Sequence, residues 1–112
     1  MFKVMYNKGF HITFPNGVTL STQIGFCNYC DNYDGHIRNT EDLDDFQYQR
    51  KFGSISSTAE IAIWTDKSEK WITEECPFCE KDSSVTGYVD INKWLDIVEW
   101  CKSYVVKEDS EL

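Results

Sequence analysis

Near the start of the chain, apolar and polar side chains take turns. Phe10, Ile12 and Phe14 are separated by His11 and Thr13, and Val18 and Leu20 are separated by Thr19. A period of two puts the apolar members on one face of an extended chain, so both runs predict half-buried strands. The connection between them fixes their register. A two-residue Asn16-Gly17 loop would set Phe14 against Thr19 and oppose an apolar face to a polar one. A three-residue Pro15-Asn16-Gly17 loop brings Phe14 to Val18, Ile12 to Leu20 and Phe10 to Thr22, with Pro15 opening the turn and Gly17 as its left-handed residue. The second arrangement is predicted. An earlier strand, Phe2 to Tyr6, joins this hairpin through Asn7-Lys8-Gly9.

Ala59 to Thr65 reads as a buried strand, followed by a turn at Asp66 to Lys70 and a further strand from Trp71 to Glu75. Near the C-terminus the period changes. Ile91, Trp94, Leu95, Val98, Cys101 and Val105 recur at the spacing of a helical stripe, with Asp90 as N-cap and an end near Val106. Residues 31 to 53 have no period and read as a loop, in which Glu41, Asp42, Asp44 and Asp45 form an acidic cluster. The predicted fold class is α+β: an antiparallel β-sheet of two to three hairpin-linked strands plus a second hairpin, packed by one C-terminal helix. Residues 1–106 form a single domain, and residues 107–112 form an acidic, frayed tail.

Composition narrows the function. At 112 residues, 41% hydrophobic and 15% aromatic, the chain carries enough apolar surface to fold. Its net charge of -8 opposes a broad phosphate-binding surface, so direct nucleic-acid binding is not expected. No apolar run is long enough for a membrane-spanning helix or a signal-peptide core, and the expected location is the cytoplasm.

Five cysteines in a reducing compartment suggest metal ligation before disulfides. Four form two C-x-x-C pairs, Cys27-Asn28-Tyr29-Cys30 and Cys76-Pro77-Phe78-Cys79. Each pair follows a predicted strand, and two adjacent pairs could supply the four thiolates of a structural zinc site; the predicted ligands are Cys27, Cys30, Cys76 and Cys79. The alternative is that these are ordinary buried thiols. Cys76-Pro77-Phe78-Cys79 also resembles the active-site segment of glutaredoxins, but Glu80 to Gly87 lacks the helical period that such a redox pair needs after it. Cys101 falls on the helix stripe as a core residue.

No catalytic set is legible. His11 and His36 are the only histidines, phosphate-cradling glycine loops are absent, and a zinc ion held by four thiolates has no open position for water. The expectation is a binding protein and not an enzyme. The strand face opposite the core carries Thr19, Ser21 and Gln23, and the chain continues through Asn28, Tyr29, Asp31, Asn32 and Tyr33. Tyrosine beside adaptable amides is the composition of recognition loops. A merely solvated strand face is the competing reading. Trp64, Trp71 and Trp100 cannot all be assigned to so small a core, and an exposed one would mark an interface.

The segment Asn16 to Asn32 resembles small uncharacterised bacteriophage proteins that carry an N-G-x-T-x-S-x-Q-x-G-x-x-N-Y-C stretch after a β-hairpin, continue with an A-E-[IV]-A-[IV] strand and end in a helix. Ala59-Glu60-Ile61-Ala62-Ile63 and the helix from Asp90 fit that layout, and Cys30 is the cysteine of the motif. The resemblance implies a phage origin and carries no activity with it; a small, acidic, non-catalytic protein of that origin suggests an accessory factor that binds and inhibits a host defence protein with a basic surface, with Glu41, Asp42, Asp44 and Asp45 as the acidic contact. Two other roles are considered. One is a sponge for a nucleotide immune signal, using Arg38, Arg50 and Lys51; the other is a zinc-stabilised interaction module.

Overall fold

A computed structural model of the chain describes residues 1–4, 8–24, 28–31, 56–66 and 71–106. Five antiparallel strands pair in chain order: β1 (Phe2–Val4), β2 (Gly9–Thr13), β3 (Val18–Gln23), β4 (Ala59–Thr65) and β5 (Thr86–Val89). Among the described residues one helix of more than a single turn is present, α1 (Ile91–Ser103), which follows β5 and packs on one face of the sheet. This is an α+β arrangement. The frayed-tail expectation for residues 107–112 lies outside the described residues, as do Met5 and Tyr6 of the first predicted strand.

The β2–β3 register follows the predicted three-residue loop. Ile12 pairs with Leu20 and Phe10 with Thr22, the Phe14 amide donates to the Val18 carbonyl at 2.8 Å, and the Gly17 amide donates to the Phe14 carbonyl at 2.9 Å. Gly17 sits at φ 88, in the region that an L-side chain avoids. Alternation then places Val18, Leu20, Ile61 and Ile63 on the helix side, where they are fully buried against Ile97 and Cys101. A buried aliphatic side chain contributes about 1.5–3 kcal/mol through loss of water contact, so this cluster dominates the fold's stability.

The predicted strand from Trp71 to Glu75 is not formed. Only Trp71 bridges to β4, opposite Trp64, and Thr73–Glu75 turns as a single 3-10 helix. Two short segments share the outer edge of β4 in its place. Ile72 donates its amide to the Ile63 carbonyl at 2.8 Å, while β5 pairs lower down through Ala59–Val89 and Ile61–Thr86. Thr73 fills the gap between them: its buried hydroxyl accepts the Ile63 amide at 2.9 Å and donates to the Ser84 carbonyl at 2.7 Å. An unmet amide in that position would cost about 1–3 kcal/mol.

Helix α1 begins as predicted, with the Asp90 carboxylate accepting the Lys93 amide at 2.8 Å. It ends at Ser103, before Val106, and its buried stripe is rotated from the expected one. Ile97 and Cys101 are buried, with Trp94, Val98, Trp100 and Tyr104 packed around them, whereas Ile91, Leu95 and Val105 are exposed. The rotation follows from Trp94. Its indole N–H donates to the Thr22 hydroxyl at 2.8 Å and its ring meets Phe10 edge-on at 6.4 Å, which turns that side of the helix to the sheet.

At the other end of the helix no glycine supplies a C-cap. Asn16, from the β2–β3 turn, does so with its side-chain amide, which donates to the carbonyls of Cys101 at 2.8 Å and Tyr104 at 2.9 Å. Its carbonyl oxygen accepts the Val18 amide at 3.1 Å. One side chain thus closes both the hairpin turn and the helix terminus.

The sheet face opposite α1 is neither the recognition surface expected for Thr19 and Ser21 nor a solvated strand face. Thr19 is 2% exposed and Ser21 is also buried. The rings of His11 on β2 and Trp64 on β4 reach across β3 and meet edge-on at 4.9 Å, and Trp71 packs on Trp64 at 5.1 Å. Small side chains on β3 leave room for this. Thr19 is satisfied locally, donating to the Asp66 carboxylate at 2.9 Å and lying 2.9 Å from the Thr13 hydroxyl, and Ser21 accepts from the Gln23 amide at 3.2 Å.

Candidate protein-binding surface

Of the eight residues expected to form a recognition surface, Thr19 and Ser21 are therefore interior and Gln23 is half-buried beside Ser21. Asn28, Tyr29 and Asp31 are brought together beyond the end of β3, whereas Asn32 and Tyr33 lie outside the described residues. So do the acidic contact residues Glu41, Asp42, Asp44 and Asp45, and the cations Arg38, Arg50 and Lys51.

The backbone of residues 28–31 is held from three directions. Asn28 donates its side-chain amide to the Ile24 carbonyl at 3.0 Å, the Tyr29 amide donates to the Glu60 carboxylate at 2.9 Å, and the Asp31 amide donates to the Thr58 hydroxyl at 2.9 Å. The Ser57 hydroxyl donates to the Asp31 carboxylate, and Cys30 is buried between these anchors. On the β5 side, the Tyr88 amide donates to the Tyr29 carbonyl at 2.9 Å. Gly87 makes this approach possible, since a Cβ there would stand 2.7 Å from the Tyr29 Cβ.

Tyr88 has φ 55. A bulky residue in the left-handed region costs about 1–3 kcal/mol and persists only where the surroundings impose it. Asp82 also has a positive φ, but aspartate tolerates that region through local hydrogen bonding. The strained conformation leaves the Tyr88 side chain 56% exposed, next to Tyr29 at 52%. Asp31 and Asp90 are exposed close by in the chain, and Glu60 lies beneath. Two large amphipathic rings on a fixed backbone among carboxylates can stack on, and pair with, guanidinium or ammonium groups. Tyr88, Gly87 and Glu60 were not legible as site residues; the only local signal was the Gly-Tyr step that breaks the alternation of Thr86–Val89.

The cysteines do not assemble as predicted among the described residues. Cys27 lies outside them, and no three His, Cys, Asp or Glu side chains among those described are grouped so as to hold a metal ion. The Cys79 thiol hydrogen-bonds to Cys76, which lowers the pKa of Cys76 against the opposing effect of burial, with help from the Phe78 amide and the Lys81 charge. The same bond, with burial, raises Cys79. The third thiol acting on this pair is Cys101 from α1, pushed up to about 12 by burial and by Cys76. These thiols sit in the core with Ile72 and Ile97. The chain after Cys79 turns and enters β5 without a helix, so the glutaredoxin-like context is absent here.

Two other groups are shifted by packing. Burial beneath Trp64, and then the Lys3 charge, lower His11 below the usual histidine range. Burial, and then its 3.0 Å hydrogen bond to the Glu75 carboxylate, push Tyr104 up to about 12. Among the described residues no helix is long and apolar enough to cross a membrane. No family model, curated protein or solved structure matches the chain.

Proposed function

We propose that this is a non-enzymatic binding protein that docks a partner with a basic surface through Tyr29, Tyr88 and Asp31. The observation that carries the reading is Tyr88, a bulky side chain held in a strained backbone conformation with most of its ring in solvent. The fold gains no core packing from so exposed a ring, whereas a pre-positioned tyrosine loses little entropy when a partner covers it. Net charge of -8 favours a cationic partner and speeds its approach. In the setting of the phage-protein resemblance, the role is an accessory factor in the host cytoplasm that occupies a defence protein. The reading asks for no metal; a zinc ion on Cys27, Cys30, Cys76 and Cys79 would be a structural addition, decided by metal analysis of the purified chain.

The test compares wild type with Tyr88→Gly, each immobilised and exposed to host lysate at low and high salt. The expected result is a basic protein that wild type retains at low salt, that high salt releases and that Tyr88→Gly fails to retain. Identical captured sets for the two proteins would refute the reading.

A further inference from the structure

A cavity of about 260 Å³ opens between the far end of the sheet and the first turn of α1. Its described walls are Phe10, Ile24, Ala59, Val89 and Trp94, and among the described lining residues Asp90 is the one that carries a charge. The volume is just under the roughly 300–1,000 Å³ of drug-sized sites, which suits a group the size of a single large side chain. A nucleotide is larger than this volume, and no cation stands among the described lining residues to meet its phosphate.

The cavity shares anchoring residues with the surface described above. Its rim includes Ser57 and Thr58, the two hydroxyl residues that hold Asp31, and Val89 directly follows Tyr88. An apolar socket whose lining carries Asp90 and the hydroxyl residues that hold Asp31 has the anatomy of an interface hot spot, where a buried anchor is ringed by polar contacts. We propose that this cavity is the anchor pocket for an aromatic side chain of the partner, flanked in the partner's sequence by basic residues that meet Asp31 and Asp90. This rests on the reading that the Tyr29–Tyr88–Asp31 surface binds a basic protein, and it adds the anchor and its chemistry. The aromatic preference comes from Trp94 and Phe10, whose rings offer a stacking wall, and the basic flanks from the exposed carboxylates of Asp31 and Asp90.

The test uses three end-blocked tripeptides, Arg-Trp-Arg, Arg-Ala-Arg and Glu-Trp-Glu, titrated into the isotope-labelled full chain by NMR. Arg-Trp-Arg is expected to shift the Ser57, Thr58 and Val89 amides and the Trp94 indole N–H, binding about tenfold tighter than either of the others, as loss of an interface anchor typically costs. Ile91→Gln, at a 70% exposed position on the cavity mouth, should weaken Arg-Trp-Arg several-fold without unfolding the protein. Equal binding of Arg-Trp-Arg and Arg-Ala-Arg, with shifts confined to Asp31 and Tyr88, would overturn the pocket and leave the binding surface standing. Equal binding of Glu-Trp-Glu, or of none of the three, would overturn the basic-partner reading along with the pocket.

Discussion

The two ends of the sheet and helix layers are built to opposite rules. At the turn end, Asn16 ties the β2–β3 loop to the last carbonyls of α1, and Gly17 takes the one left-handed position of that turn. At the far end a tyrosine takes the left-handed position, two exposed tyrosine rings stand on a hydrogen-bonded backbone, and a cavity opens beside the helix N-terminus. The same sheet and helix run through both. What differs is whether local conformation serves the fold or opposes it, and the opposed end is the one proposed to meet a partner.

Breaking the closed end should have the largest effect. Asn16→Ala removes the donor to two helix carbonyls and is expected to cost about 2–3 kcal/mol in urea unfolding. Asn16→Asp should be at least as harmful, because a carboxylate would face those carbonyls. A loss below about 0.5 kcal/mol for both would erase the contrast between the ends. Thr73→Val, next in size, keeps the shape but leaves the Ile63 amide unmet, and about 1–2 kcal/mol should be lost with little change in the far-end surface. Gly87→Ala should act at the far end by displacing Tyr29, lowering affinity for the tripeptide probe more than stability.

The smallest effects are in pH. His11 is lowered, so its contribution to stability is complete above about 6.5 and is lost as the pH falls through the folded value. His11→Leu should flatten that slope in acid unfolding curves. Tyr104 is raised to about 12, so its contribution holds below its ordinary value near 10 and fades as the pH rises through 12. Tyr104→Phe should remove the alkaline slope.

Much of the sheet was legible because period two and turn geometry are local. The Pro15-Asn16-Gly17 loop set the β2–β3 register, and the Ala59–Thr65 run matched β4 residue for residue. β5 was hidden because it has four residues, one a glycine and one left-handed, so no alternation survives. The helix cap was hidden because Asn16 and Cys101 are 85 positions apart. Of the site, Asn28, Tyr29 and Asp31 could be named from composition beside the end of a strand. Thr19 and Ser21 were placed on the correct face, but the His11 and Trp64 rings that cover them come from neighbouring strands and leave no mark in β3 itself. The two C-x-x-C pairs looked like halves of one site; Cys27 lies outside the described residues, and among those described the thiol that acts on Cys76 and Cys79 is Cys101, which the helix stripe brings in from outside the pattern.

The most direct test of the claim that the far end holds strain in the service of binding is the affinity of Tyr88→Gly for the Arg-Trp-Arg probe, read beside its thermal midpoint. Glycine accepts φ 55 without strain, so the midpoint should stay level or rise while affinity falls about tenfold. Unchanged affinity, or a midpoint that drops with it, would show that Tyr88 serves the fold and would contradict the claim.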